Sequence, residues 1–198
     1  MDKILQFMDT NDVKSLLDIG ANVGNYSKTI KYFIPDMKIL MIEANPHCEK
    51  YLMNTGIDYK IACLSDSKKE VDFYLQDDND VGTGSSYYLE NTEYYSKKRS
   101  VKRNTDTLDD LIGDDAFQFI KMDTQGSEID IIKGGLSTLN KASYVSIELS
   151  LIEYNINSPL KKDVIEFMEE NGFYPIQLVE EHYSKGKLIQ EDWIFTKI

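Results

Sequence analysis

Acidic side chains stand where chemistry is expected. Asp18 closes the apolar run "VKSLLDI", Glu43 closes "KILMIE", Asp123 closes "FQFIKMD", and Glu148 lies near the end of "YVSIELS". Each run reads as a buried strand. In an open α/β sheet the crevice at the carboxyl ends of the strands is where ligands bind. Lys121 precedes Asp123 by two residues and so shares its face of the strand. Glu128 opens the helical pattern "SEIDIIKGG". Three carboxylates and one lysine, Asp123, Glu128, Glu148 and Lys121, are therefore expected to converge on one reacting centre. Plainer readings exist for each: a dipole-complementing acid at Glu128, a structural ion pair between Lys121 and Asp123, a loop cap at Glu148.

The turn after Asp18, "LLDIGANVGNYS", sets Gly20 and Gly24 around Ala21, Asn22 and Val23. A dinucleotide fingerprint needs a middle glycine so that the backbone can close on a pyrophosphate. Its absence disfavours an NAD-dependent oxidoreductase and favours S-adenosylmethionine (SAM), which has no pyrophosphate. Asp18 can then hold the ammonium of SAM directly or through water, and Gly20 lets the chain turn beneath the cofactor. Backbone amides opening the next helix can face its carboxylate. Glu43 can accept both ribose hydroxyls. Ala21, Asn22, Gly24, Asn25 and Tyr26 around the turn, with Ala44 and Ala62 after the second and third strands, complete the expected cofactor contacts.

The elements that must position these residues follow from periodicity. Apolar runs alternate with helical patterns, which implies a parallel sheet with helices on both faces. A helix is expected from Asn25 to Phe33, stopping before Pro35. "NPHCEKYLMNTG" has Asn45 to cap and Gly56 to end a second helix, "IDYKIACL" is a third strand, and "TLDDLI" opens a short helix capped by Thr107. Ser127 with Asp130, and Ser158 with Pro159, read as caps of the two later helices. "EVDFYLQ" alternates like an extra exposed strand, and residues 77–100 read as a mobile loop over the site. The basic cluster "KKRSVKR" within and after it reads as a solvated loop face. "FYPIQLVE" and "EDWIFTKI" are joined too closely for a crossover helix, so they should pair antiparallel.

In this order, "LLDIGANVGNYS", "MIEANP", "TDTLDDL", "FIKMDTQGSEIDIIKGG" and "VSIELS" resemble the FkbM family of SAM-dependent O-methyltransferases. The resemblance covers residues 13 to 150 most closely. It implies a Rossmann-like class I methyltransferase fold, with a mostly parallel seven-stranded sheet ending in an antiparallel hairpin. It also implies methyl transfer to a hydroxyl, often on a sugar or natural product. Gln125 stands where members often carry glutamate, and Ser86 is a cofactor contact by this resemblance alone. A sugar hydroxyl is a poor nucleophile, so a carboxylate that takes its proton would help. Grouped carboxylates could instead hold Mg²⁺.

Composition narrows the alternatives. The chain has 198 residues, 41% of them hydrophobic, which suits one methyltransferase domain over residues 1–198. No apolar run is long enough to span a membrane, the first residues lack the marks of a signal peptide, and the two cysteines fit a cytoplasmic setting. A net charge of −12 argues against nucleic acid as the partner. The expected partner is a small hydroxylated acceptor, a saccharide or glycoconjugate; the oligomeric state is left open. No histidine or cysteine spacing indicates a transition metal: His47 reads as a surface residue and His182 has no assigned role. A SAM-binding scaffold without catalysis is the competing class, and the retained Asp123, Glu128 and Glu148 count against it.

Overall fold

The computed structural model describes residues 1–75, 81–91 and 99–198. Its main sheet has seven strands in the order β3-β2-β1-β7-β8-β10-β9. These are β1 (Ser15–Ile19), β2 (Lys38–Glu43), β3 (Asp58–Ile61), β7 (Phe119–Met122), β8 (Tyr144–Ser150), β9 (Phe173–Ser184) and β10 (Lys187–Lys197). The pairs from β3 across to β8 are all parallel. β10 is antiparallel to both β8 and β9, so the expected closing hairpin is present. Asp18 lies beside Lys121 in the β1–β7 register, and Glu148 lies opposite Asp192 in the β8–β10 register.

Both faces of the sheet are covered. Helices α1 (Asp2–Thr10), α2 (Asn25–Phe33) and α3 (Glu49–Met53) pack on one face, through Ile4, Phe7, Met8, Ile30 and Leu52. On the other lie α4 (Leu108–Ile112), α5 (Glu128–Lys133), α6 (Leu136–Lys141) and α7 (Lys161–Glu170). Leu16 faces the first group and Leu17 the second, and both are fully buried. That continuous burial explains why β1 reads as an unbroken apolar run.

Several expectations are corrected. "IDYKIACL" breaks at Ala62: β3 ends at Ile61, and β4 (Cys63–Leu64) joins a separate three-stranded sheet with β5 (Glu70–Leu75) and β6 (Arg99–Asp106). β6 contains much of the basic cluster that had read as a loop face. Its Lys102 pairs with Glu70 and Asp72 at 3.6 and 3.1 Å, so the charges sit on a paired strand. The helix after Asn45 begins as a 3-10 turn at Pro46–Cys48, with the Asn45 side chain accepting from the His47 amide. Ser127 does not cap α5, because its hydroxyl donates to the Thr124 carbonyl. Nor does Ser158 cap α7: the cap is Leu160, whose amide donates to Asp163. α1, which no capping signal announced, is held by one apolar face.

The long segment over the site divides. Residues 76–80 and 92–98 fall outside the described residues, so the expectation of mobility there goes with them. Residues 81–91 are pinned. Tyr87 and Tyr88 both donate to Asp130 Oδ2, at 3.2 and 3.0 Å, and the Asn155 side chain donates to the Tyr88 carbonyl.

Candidate active site

The glycine turn is built on unusual backbone. Gly20, Asn22 and Gly24 all have positive φ, at 80°, 50° and 79°. The Gly20 and Ala21 amides donate to the Ile42 carbonyl, which ties the turn to the end of β2. No side chain caps the first turn of α2, so its amides remain for another acceptor.

Glu43 is buried at the rim of this turn. Its Oε2 accepts from the Asn22 amide and its Oε1 from the Asn45 amide, each at 2.7 Å. Burial raises its pKa, and the two amide bonds counter that rise. A first cavity of about 80 Å³ opens here. Gly20, Asn22, Glu43, Ala44, Ala62, Ser86 and Asp123 line it, together with Cys63, Tyr87 and Gln125. Ser86 also donates to the Thr124 carbonyl at 3.3 Å. Ala21, Gly24 and Asn25 shape the turn and the start of α2 without lining this cavity.

Asp18, expected to hold the ammonium of SAM directly or through water, lies in β1 one residue before its end. It is fully buried beneath the turn, where Oδ2 accepts from Ser27 at 2.6 Å. Its Oδ1 lies 3.6 Å from the Lys121 ammonium. Lys121 also pairs with Asp123 at 3.2 Å and lies over the Tyr26 ring. Burial pulls the Lys121 pKa down, but Asp123 and Asp18 outweigh it and hold the lysine charged. The structural ion pair thus joins three residues, and Ser27 was the partner that sequence reasoning missed.

Asp123 stands between two cavities. The second, of about 170 Å³, is lined by Tyr26, Lys121, Asp123, Glu148, Glu180 and Asp192, with Met1 and Ile4 of α1's N-terminal end at one side. Gln125 bridges the acids here: its amide donates to Asp123 at 2.8 Å and to Glu148 at 2.9 Å. Gln190 donates to the same Glu148 oxygen at 2.7 Å. Burial and the neighbouring charges of Asp123 and Asp192 push the Glu148 carboxyl well above its ordinary range.

Glu128 does not join them. Its carboxylate accepts from the Thr124 amide and hydroxyl and from the Gly126 amide, at 3.0, 3.0 and 3.2 Å. It holds the turn after β7 and lines neither cavity. The convergence of Asp123, Glu128 and Glu148 is therefore reduced to Asp123 and Glu148. Sequence position could place Glu128 in the first helical turn but could not say which way its side chain folds back.

A sheet of this order with an antiparallel final strand is that of a Rossmann-like class I methyltransferase, a class whose cofactor is SAM, and a cavity opens at the carboxyl ends of β1 and β2. A profile of the FkbM methyltransferase domain matches residues 18–175, and the chain belongs to that family. No curated protein matches the chain in sequence. Among solved structures it is similar to magnesium protoporphyrin IX methyltransferase from Synechocystis with bound SAM, at 6% identity and a TM-score of 0.59, covering 100% of this chain and 77% of that one. It is likewise similar to a SAM-dependent methyltransferase from Clostridium acetobutylicum, at 9% identity and 0.56, covering 99% and 89%. A precorrin-6y C5,15-methyltransferase from Geobacter metallireducens gives 12% and 0.52, covering 93% and 82%. At these identities the likeness is one of fold.

Proposed function

We propose that this chain, as a single domain, transfers the methyl group of SAM to a hydroxyl of a small, saccharide-like acceptor. The observation that carries this reading is that Asp123 lines both cavities, one walled by the glycine turn and Glu43 and the other by Glu148 and Asp192. In this reading Glu43 holds the ribose diol and Ala44, Ala62 and Cys63 flank the base. Bound SAM supplies an electrophilic methyl group. The Asp123 carboxylate takes the proton of the acceptor hydroxyl as its oxygen attacks the methyl carbon in line with the departing sulfur. Lys121 and Gln125 orient that carboxylate through their hydrogen bonds. Asp18 and Glu128 are positioning residues, one for Lys121 and the other for the Thr124–Gly126 turn.

Mg²⁺ held by Asp123, Glu128 and Glu148 has no support in the geometry, because Glu128 is committed to backbone amides. Cys48 and Cys63 are buried and not joined in a disulfide, which suits a reducing compartment such as the cytoplasm. No helix among the described residues is long and apolar enough to cross a membrane.

The test is formation of S-adenosylhomocysteine from SAM in the presence of hydroxylated saccharides, with mass spectrometry of the product. A methyl group found on oxygen is expected. Tight SAM binding with no turnover on any acceptor would favour the scaffold reading, and transfer to nitrogen or carbon would overturn the hydroxyl assignment.

A further inference from the structure

Glu148 and Asp192, in the wall of the second cavity, belong with His182 to a group of side chains that the proposed methyl transfer does not use. Glu148 on β8 and Asp192 on β10 are directly opposed across an antiparallel pair, a placement in which like charges repel. His182, from β9, brings Nε2 to 3.2 Å from Asp192 Oδ2. One ligand atom from each of Glu148, His182 and Asp192 lies within 4.8 Å of the others. Asp123 and Glu180 line the same cavity, while its lysine, Lys121, is already engaged by Asp18 and Asp123. Negative charge therefore exceeds positive charge around this space. A second observation is independent of these acids. The Tyr26 hydroxyl, in the wall of the same cavity, is enclosed and has no hydrogen-bond partner among the described residues. Enclosed hydroxyls normally have one, so the cavity is built for an occupant with polar character.

We propose that Glu148, His182 and Asp192 form a binding site for a first-row divalent metal ion of the Mn²⁺ or Zn²⁺ kind. The imidazole selects such ions over Mg²⁺ and Ca²⁺, which prefer all-oxygen sets. Histidine nitrogen and carboxylate oxygen sit about 2.0–2.2 Å from zinc, which puts neighbouring ligand atoms roughly 3 Å apart. His182 and Asp192 already have that separation, and a Glu148 carboxylate oxygen lies within 4.8 Å of both ligand atoms. The amides of Gln125 and Gln190 orient Glu148 as outer partners orient a metal ligand. Glu148 and Asp192 line the cavity that Asp123 also lines, so an ion held by them would lower the pKa of an acceptor hydroxyl there. That last consequence rests on the methyl-transfer reading; the binding site itself does not.

The simpler occupant is a proton on His182, giving an ion pair with Asp192 and nothing more. Full-length protein freed of metal with EDTA separates the two. Mn²⁺ binding is followed by electron paramagnetic resonance and Zn²⁺ binding by calorimetry, both at neutral pH, with circular dichroism to confirm folding. One ion per chain is expected, and His182→Ala and Asp192→Asn should each weaken binding by about tenfold or more. His182→Gln provides a second, milder variant should alanine disturb the hairpin. Absence of binding in the unmodified protein, or binding that survives these substitutions unchanged, overturns the site and leaves the ion pair. S-adenosylhomocysteine binding, measured on the same samples, distinguishes failure of the metal site from failure of the cofactor assignment.

Discussion

A Cβ on Gly20 would lie 1.9 Å from the carbonyl oxygen of Asp123. The cofactor turn and the proposed base are thus in backbone contact, though about a hundred positions separate them in the sequence. Gly20 also has φ of +80°, which side-chain-bearing residues rarely adopt. Gly20→Ala should cost about 3 kcal/mol or more, from backbone strain and overpacking together. Urea unfolding measures it, and a loss below about 1 kcal/mol would mean that the two segments can part cheaply.

Glu43 accepts the Asn22 and Asn45 amides, and the proposed function adds the ribose diol. Glu43→Gln removes its charge and should weaken SAM binding by about ten- to a hundredfold, the equivalent of a charge-assisted hydrogen bond worth roughly 1.5–3 kcal/mol. Glu43→Ala should in addition destabilise the fold by about 1–3 kcal/mol, because the Asn22 and Asn45 amides lose their acceptor. Calorimetry with SAM and thermal unfolding separate the two effects. Unchanged affinity in the glutamine variant removes Glu43 from the ribose.

Asp123→Asn keeps the shape of the side chain and removes its charge. Turnover should fall by about a hundredfold or more, the usual contribution of a positioned general base, while SAM affinity changes much less. Near-normal turnover on a true acceptor would transfer the proton-accepting role to Glu148, which Gln125 links to Asp123.

Asp130 fastens residues 81–91 over the first cavity by accepting from both Tyr87 and Tyr88. Asp130→Ala should accelerate hydrogen exchange across this segment and weaken S-adenosylhomocysteine binding, with the sheet unaffected. Equal exchange in both proteins would show that the segment's other bonds, among them Asn155 to Tyr88, Asn22 to Val81 and Ser86 to Thr124, suffice.

Burial pushes the Cys63 thiol up to about 11. The thiolate is the reactive form, so alkylation by iodoacetamide should be slow at neutral pH and rise about tenfold per pH unit below that value. Because Cys63 lines the first cavity, bound S-adenosylhomocysteine should slow it further. A rate indifferent to the nucleoside would place the base elsewhere.

The sheet and the crevice were legible because buried parallel strands announce themselves as apolar runs whose ends open on the crevice. That rule brought Glu43, Asp123 and Glu148 to the walls of the two cavities without any tertiary information. β6 escaped notice because "RSVKRNTD" is polar on both faces and takes its order from pairing with β5 and β4. Side-chain direction was also hidden. Asp18 turns down to Ser27 and Lys121, and Glu128 folds back onto Thr124 and Gly126. His182 could not be grouped with Glu148 and Asp192, because hairpin register and sheet order, not spacing, unite them.

β10 lies between β8 and β9, although every other strand precedes it in the chain. The side of β8 that carries the Glu148 backbone therefore stays an open edge until β10 arrives and buries Ile194 and Phe195. During synthesis the nucleoside half of the crevice can assemble from earlier segments, whereas the acidic half waits for the last strand. A nascent chain halted before Lys187 would expose an unpaired edge strand and be prone to stick to its neighbours.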